Sequence, residues 1–253
     1  MEFPEVHTRP IADLDVDDSL KQPIIYTASL DGTIKIWDFK NPFARPAELL
    51  GHTDAVNCIK VRGNYVVSGS SDLTVRIWDK KKLACLSTIT THTSPVTGVK
   101  ALEKVIFSFD RAGVVVVTKI KANEMKFKLD LGYPILNLRV QKKFLLVVGT
   151  KALETYTVKG KKIAAYEAHA GDITSADFYD QDYIFSTSVD RTTILWNVKR
   201  AQQMFSYRGH HSPVTGLAFY NQWVYTSAPD GTIRQWVNPV YDPQSDNNME
   251  WIY

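Results

Sequence analysis

The sequence has few cysteines, no long hydrophobic run and almost no excess of either charge. Two cysteines among 253 residues are too few for the disulfide framework of a small secreted domain, so we expect an intracellular protein, in the cytoplasm or alternatively in the nucleus. The longest apolar runs, such as residues 144–148, have about five residues, whereas a transmembrane helix needs about 20. The N-terminal residues 1–6 lack the basic and apolar regions of a secretory signal.

The small net charge hides an uneven distribution. Thirty basic and 27 acidic side chains give a net charge of +3, which is too weak to indicate nucleic-acid binding by itself. Residues 51–150, however, hold 16 of the basic and seven of the acidic side chains. The lysines between Lys80 and Lys143 offer a surface for acidic protein, RNA or an anionic membrane. They form no aromatic-rich basic groove, so a solvated face is the favoured interpretation.

Tryptophan marks an internal repeat. Four tryptophans are separated by 41, 118 and 40 residues, and the middle gap corresponds to three periods of about 39 residues. Each Trp follows an Asp by six residues, and each Asp follows a Ser or Thr by four. A His precedes the Asp by 20 or 21 residues in three sets and by 24 in the first. The four sets are His7, Thr27, Asp31 and Trp37; His52, Ser68, Asp72 and Trp78; His169, Ser186, Asp190 and Trp196; and His210, Thr226, Asp230 and Trp236.

Two further registers lie in the long gap. Counting in steps of 40 from Asp72 reaches Ala112 in the third register and Ala152 in the fourth, so we interpret both registers as having lost the Asp. The third register keeps His92 and Ser108, and the fourth keeps none of the four residues. The tryptophan positions of these registers are assigned to Thr118 and Val158. Six repeats of about 40 residues therefore fill the chain.

Each repeat has the pattern of four short strands. Residues 74–78 alternate polar and apolar side chains with period two, and Asp31-Gly32 is a tight-turn signal between two such runs. No stretch shows a sustained helical stripe. One antiparallel sheet per repeat, stacked about a central axis, buries both faces of each sheet and leaves only short edges exposed.

The repeats resemble the WD-repeat signature in Gly51-His52, in residues 68–72 and in Ile77-Trp78-Asp79, and Ile36-Trp37-Asp38 repeats its end. The resemblance covers nearly the whole chain. It implies an all-β, six-bladed WD-repeat β-propeller with four antiparallel strands per blade. The compact repeats look most like those of F-box/WD-type substrate receptors and kinase-associated WD proteins. The alternative is an open six-blade ring completed by a partner, as in coat and nuclear-pore WD proteins.

The whole of residues 1–253 is expected to form this single propeller. The expected blades span about 7–50, 51–90, 91–130, 131–167, 168–208 and 209–237. Because residues 3–6 precede His7 as residues 204–208 precede Gly209-His210, we expect residues 2–6 to close the last blade as its outer strand. Residues 238–253 then form a tail that ends in Trp251-Ile252-Tyr253, which docks on the body or on a partner, or stays loosely packed.

The recurring His, Ser and Asp are the parts of a nucleophilic triad, but a structural network explains them better. A triad is needed once, whereas this set occurs four times. In WD proteins the Trp donates to the hydroxyl, the hydroxyl bonds the His, and the His bonds the Asp. We therefore expect no catalytic residue, no cofactor and no metal. The acidic run Asp13, Asp15, Asp17 and Asp18 is interpreted as a solvated loop.

The resemblance implies that partners bind the face bearing the turn Asp and the His loops. The function expected is a non-catalytic protein-interaction scaffold for an extended apolar peptide with an acidic group, acting as a monomer or within a larger complex. The alternatives are an architectural subunit completed by another chain, and an RNA or membrane adaptor that uses the basic blades 2–4. The contact positions carried over from the family are Leu30, Asn57, Ser71, Thr97, Arg111, Leu136, Lys151, Thr174, Val189, Thr215 and Pro229.

Overall fold

Short antiparallel strands make up the regular structure of this chain. A computed structural model describes residues 7–19, 23–38, 40, 45–102, 104–122, 124–141 and 143–241. The chain divides into a first unit, residues 1–135, and a second unit, residues 136–253. Among the residues described, the structure contains no helix with the length and apolarity that crossing a bilayer requires.

The first unit contains three four-stranded sheets, each with its strands in chain order. Sheet 1 consists of β1 (Ile11–Asp17), β2 (Ile24–Ser29), β3 (Ile34–Asp38) and β4 (Ala47–Leu49). Sheet 2 consists of β5 (Val56–Arg62), β6 (Tyr65–Ser70), β7 (Val75–Asp79) and β8 (Ala84–Ile89). Sheet 3 consists of β9 (Val96–Ala101), β10 (Val105–Asp110), β11 (Val114–Lys119) and β12 (Glu124–Asp130).

The second unit continues the pattern from the boundary at residues 135 and 136. Sheet 4 consists of β13 (Ile135–Gln141), β14 (Phe144–Gly149), β15 (Leu153–Thr157) and β16 (Lys162–Ala165). Sheet 5 consists of β17 (Ile173–Phe178), β18 (Tyr183–Ser188), β19 (Thr192–Asn197) and β20 (Gln202–Arg208). Sheet 6 has three strands among the described residues, β21 (Gly216–Tyr220), β22 (Trp223–Ser227) and β23 (Ile233–Val237).

The hydrophobic core lies between neighbouring sheets. In the first unit, Tyr26 and Ile34 of sheet 1 pack against Ile59 and Trp78 of sheet 2, and further aliphatic side chains join sheet 2 to sheet 3. In the second unit, two clusters join sheet 4 to sheet 5 and sheet 5 to sheet 6. The period-two alternation places one set of side chains on each face of a strand, so a middle sheet buries both of its faces.

One expectation about the N-terminal acidic run is wrong. Asp13, Asp15 and Asp17 lie in strand β1, not in a loop, and only Asp18 follows the strand. Their side chains point away from Leu14 and Val16 because successive residues of a strand face opposite sides. The strand that was expected from residues 2–6 and the tail from residue 242 onward lie outside the described residues, and both stay predictions, as do the blade boundaries.

Candidate functional site

The polar residues of sheet 2 form a continuous hydrogen-bonded chain. Trp78 donates its Nε1–H to Ser68 Oγ at 2.9 Å, and Ser68 Oγ lies 2.8 Å from His52 Nε2. His52 Nδ1 lies 2.7 Å from Asp72 Oδ2. The indole can only donate and the carboxylate can only accept. His52 Nδ1–H therefore donates to Asp72, and in the neutral imidazole Nε2 accepts from the Ser68 hydroxyl.

The electrostatics of this chain agree with that assignment. Burial lowers the pKa of His52, although the bond to Asp72 works in the opposite direction. Burial tends to raise the pKa of Asp72, but hydrogen bonds from Thr74 and His52 outweigh it and lower the pKa to about 2. Asp72 Oδ1 accepts from the Thr74 amide at 2.9 Å and from its hydroxyl at 2.7 Å. The same carboxylate thus shapes the β6–β7 turn and orients the imidazole.

Sheets 1 and 5 repeat the arrangement. In both, the His Nδ1–Asp distance is 2.8 or 2.9 Å, and the His Nε2–hydroxyl and Trp–hydroxyl distances are all 2.8 Å. The structure thus brings together His7, Thr27, Asp31 and Trp37 in sheet 1, and His169, Ser186, Asp190 and Trp196 in sheet 5.

Sheet 6 has a looser version. Trp236 and His210 Nε2 each lie 2.8 Å from Thr226 Oγ1. His210 Nδ1, however, lies 3.7 Å from Asp230 and instead contacts Thr232 Oγ1 at 3.1 Å. Asp230 still accepts from the Thr232 hydroxyl at 2.6 Å. The imidazole of sheet 6 therefore contacts a hydroxyl at each ring nitrogen, and Asp230 is linked to it through the Thr232 hydroxyl.

The interpretation that the third register lacks its carboxylate is wrong. Asp110 occupies that role, since its Oδ2 lies 2.8 Å from His92 Nδ1, while His92 Nε2 lies 2.8 Å from Ser108 Oγ. The carboxylate comes from the end of β10 and not from the turn, so counting 40 residues from Asp72 passed over it. A Ser-x-Asp sequence at the end of a strand was the available signal. Thr118 stands where the other sheets have Trp.

The fourth register was misaligned by two residues. Leu145 pairs with Tyr156 in sheet 4 as Val66 pairs with Trp78 in sheet 2, so the tryptophan position belongs to Tyr156 and not to Val158. The β14–β15 connection is one residue shorter, because its last pair joins residues 148 and 153 where sheet 2 joins 69 and 75. The residues of this turn, 149–152, include no carboxylate.

Sheet 4 has a different buried polar cluster. The Tyr156 hydroxyl donates to Glu154 Oε2 at 2.5 Å, and Lys162 Nζ lies 2.5 Å from the other carboxylate oxygen. Burial, and then the bond to Glu154, raise the pKa of Tyr156 beyond its usual range. Thr155 and Tyr166 also form a buried hydroxyl pair at 3.1 Å. Buried polar contacts therefore support sheet 4 as well as sheet 3, although sheet 4 makes them with side chains other than the signature set.

The acidic residues of β1 bind the neighbouring strand. Asp13 accepts the Ile59 amide at 2.9 Å, and Asp15 accepts the Val61 amide at 2.6 Å and the Lys60 ammonium at 3.2 Å. These amides lie on the edge of β5 that no strand of sheet 2 covers. Unpaired edge amides are costly unless water or side chains satisfy them, so the acidic run links sheet 1 to sheet 2.

The contact positions predicted in the first unit have different environments. Asn57 donates its side-chain amide to Val96 O at 2.9 Å and to Ser71 Oγ at 3.0 Å, so it bridges sheets 2 and 3. Leu30 and Ser71 are partly buried, whereas Thr97 and Arg111 are exposed. The surface of the first unit that remains open at these positions is centred on Thr97 and Arg111.

The positions in the second unit are mostly exposed. The Thr174 hydroxyl contacts Val214 O and lies 2.8 Å from Thr187 Oγ1, so it is used between sheets 5 and 6. A cavity of about 340 Å³ opens beside Lys151, with Glu167, His169 and Ile173 in its wall. The remaining positions of this unit are exposed, namely Leu136, Lys151, Val189, Thr215 and Pro229.

No metal site is apparent in the described part of the chain. No group of three or more His, Cys, Asp or Glu side chains lies close enough together there to hold an ion. Cys58 is buried and Cys85 is exposed, and both are free thiols.

The sheets and their networks define an all-β repeat protein in which each repeat is one antiparallel sheet stabilised by buried polar contacts. The WD40 family, described as WD domain, G-beta repeat, matches residues 3–38, 45–79, 160–197 and 201–237, more than half of the chain. The protein belongs to this family. Sheet 3 and most of sheet 4 fall between the matched segments, and neither sheet has the complete set of signature residues at the regular spacing. The expected fold class, a six-bladed WD-repeat propeller, is confirmed.

The relatives are also WD-repeat proteins. The chain is 27% identical to nuclear distribution protein nudF of Aspergillus niger over 91% of its length and 50% of the relative. It is 34% identical to the F-box/WD repeat-containing protein sel-10 of Caenorhabditis elegans over 32% of its length and 14% of the relative. The chain thus spans about half the length of nudF and a smaller share of sel-10. The computationally designed Ika8 protein matches 92% of this chain and 72% of its own, with 26% identity and a TM-score of 0.79.

Proposed function

We propose that the protein is a non-catalytic scaffold that binds partner proteins at the exposed loop ends of its sheets. The burial of the network serines carries the proposal. Ser68, Ser108 and Ser186 have the hydrogen bonds of a nucleophile and its base, yet all three are 0% exposed, so no substrate reaches them. Buried and satisfied polar chains of this kind rigidify a sheet. The networks thus hold the loops that they brace in fixed positions.

The exposed loop ends favour a peptide with mixed chemistry. Each unit has its own exposed cation at these positions, Arg111 in the first and Lys151 in the second, and each can bind a carboxylate or phosphate group. Val189 and Leu136, which are 41% and 45% exposed, provide apolar contact area. We propose an extended segment with apolar side chains and an acidic group as the ligand, and an intracellular location, as the free thiols support.

Charge reversal tests the loop-end site. Lys151→Glu and Arg111→Glu, singly and together, should reduce the recovery of partners by affinity capture of the full chain from its native cell, scored by quantitative mass spectrometry. Lys159→Glu is the matched control, because Lys159 is also an exposed lysine of sheet 4 but lies at the opposite end of β15. Equal recovery with all variants would eliminate the site.

A second candidate function is an architectural subunit that another chain completes. It is favoured by Ile233, which is 76% exposed on sheet 6. We expect the purified chain to self-associate or lose solubility without its partner in this case, whereas a self-sufficient scaffold stays monomeric.

The basic surface of sheets 2–4 has less support as a binding site for RNA or membrane. Lys80 is paired with buried Asp17, and Lys119 with Glu124, which reduces its free charge.

A further inference from the structure

One sheet face is open at a place where the same face of the other sheets is buried. In each sheet, the second and third strands form a hairpin, and one residue pair is the last before the turn. In sheet 6, Ile233 belongs to this pair. Ile233 is 76% exposed, whereas the five equivalent residues are 0–2% exposed. Those equivalents are Ile34, Val75, Val115, Leu153 and Thr193.

The residues beside Ile233 on this face are also open. Tyr225 and Gln235 pair directly across β22 and β23 and are partly buried and exposed, respectively. Their equivalents in sheet 5, Phe185 and Leu195, are both 0% exposed. We call this surface the open face of sheet 6, and it consists of Tyr220, Trp223, Tyr225, Ile233, Gln235 and Val237.

The composition of the open face is that of a protein interface. It has three aromatic residues, two aliphatic residues and one amide, with no charge. Tyr220 is 65% exposed and Val237 is 63% exposed. Tyrosine and tryptophan are enriched in interfaces and contribute much of their binding energy, whereas charged residues are depleted from interface centres. Single exposed apolar residues are common on any surface, but a whole uncharged sheet face is not.

The packing of sheet 5 shows what covers a face of this type. Phe185, Leu195 and Tyr207 of sheet 5 pack against sheet 6, where Val224 and Phe219 meet them. The ring centroids of Phe185 and Phe219 are 5.0 Å apart. The open face of sheet 6 is the next surface in that stacked series. A second sheet with aliphatic and aromatic side chains is the shape that fits a flat sheet face.

We propose that the open face of sheet 6 binds a β-sheet of a partner protein that presents uncharged aliphatic and aromatic side chains. This inference rests on the second candidate function and supplies its surface and its ligand.

The first unit contains an independent open face. Leu14 of β1 is 54% exposed. It pairs with the network hydroxyl residue of the next strand, and the residues that do so in sheets 2, 3 and 5 are 0–3% exposed, namely Ile59, Val99 and Ala176. A contact between Leu14 and Ile233 would therefore mean that the chain covers its own open faces, which is the alternative to a partner.

The purified full chain tests whether the face is open in solution. The probe is the apolar dye anilinonaphthalene sulfonate. Wild type should bind the dye, and Ile233→Glu should lose most of the fluorescence without lowering the melting temperature, because the side chain is already exposed. Leu50→Glu is the matched control, since Leu50 is 65% exposed outside sheet 6, and it should leave dye binding unchanged. A wild type that binds no dye, or a marked fall in melting temperature for Ile233→Glu alone, would overturn the proposal.

Photo-crosslinking in the native cell tests the occupant. Benzoylphenylalanine at position 233 should crosslink to another protein, at a peptide with strand-like alternation of apolar residues, and the same probe at position 50 should not. Crosslinks to this chain itself, to a second copy, or to no protein would each overturn the proposal. A Leu14→Cys/Ile233→Cys chain that forms a disulfide within one molecule would do the same. Lys151→Glu should leave the crosslink at 233 intact, which separates failure of the loop-end site from failure of this one.

Discussion

His92 and Asp110 form a hydrogen bond with both side chains 0% exposed, and their Nδ1–Oδ2 distance is 2.8 Å. It is more deeply buried than the pairs that follow the repeat spacing. The pair His52–Asp72, for example, leaves 6% of the aspartate side chain exposed. The sheet whose signature is least visible in the first unit therefore contains its most deeply buried His–Asp contact.

Removing that carboxylate should be costly. Asp110→Ala leaves the buried His92 N–H without an acceptor, so we expect a loss of about 1–3 kcal/mol in the free energy of unfolding, measured by urea titration. Asp230→Ala is the control, because its His partner is 3.7 Å away and keeps a hydroxyl contact, and its loss should be smaller. An Asp110→Ala chain as stable as wild type would show that His92 finds another partner.

Stability should fall as the solution becomes mildly acidic. Burial lowers the pKa of His52 and of His92 in the folded protein, while the unfolded chain keeps a histidine pKa of about 6.5. The unfolded state therefore binds more protons below that pH, and stability present above it is lost as pH falls from about 6.5 toward the folded pKa values. Urea unfolding from pH 8 to pH 5, a range of about three units around the histidine value, measures the slope. Replacing His92 by Gln should flatten it, and an unchanged slope would contradict the assignment.

Replacing Arg191 of sheet 5 by glycine should stabilise the protein. Arg191 has φ of 72° in the turn where sheet 1 has Gly32 at 83° and sheet 6 has Gly231 at 80°. A side chain in this left-handed region costs about 1 kcal/mol relative to glycine. Arg191 is exposed, so Arg191→Gly should raise the free energy of unfolding by a fraction of that amount. The matched Arg208→Gly change, in strand β20, should lower it. A loss of stability for both would show that Arg191 makes a contact worth more than its strain.

The acidic residues of β1 should protect the edge of β5. Asp13→Ala removes the acceptor of the Ile59 amide, so we expect faster hydrogen exchange at Ile59 and a destabilisation of about 1 kcal/mol. Asp13→Asn is the control, because its carbonyl oxygen can still accept the bond. Equal exchange rates in wild type and Asp13→Ala would mean that water satisfies this amide equally well.

The repeat was readable wherever the signature residues recur at constant spacing. Trp37, Trp78, Trp196 and Trp236 identify four sheets from the sequence alone, because an indole that must donate inside a buried sheet needs the same hydroxyl at the same distance along the chain. The partners of His52 and His169 follow directly from that spacing. The sequence therefore predicts the histidine contacts of Asp72 and Asp190.

The spacing failed where the chain satisfies the same physical need from a different position. Asp110 reaches His92 from the end of a strand, and Tyr156 takes the tryptophan position after a turn that is one residue shorter. Hydrogen bonding depends on where atoms lie in space, and a changed turn length shifts those positions without leaving a mark in a fixed count. Counting in steps of 40 consequently assigned Ala112 and Val158 to roles that neighbours fill.

The sequence by itself determined the class of fold, the number of repeats and most of the buried polar sets, since these depend on local alternation and on regular spacing along the chain. The tertiary structure alone decided which side chains remain accessible. Asn57 and Thr174 were candidates for partner contact, yet both bond to the backbone of a neighbouring sheet. Ile233 reads as a core residue in the repeat, yet it faces solvent. Exposure depends on what packs against a face, and that neighbour comes from residues distant in sequence.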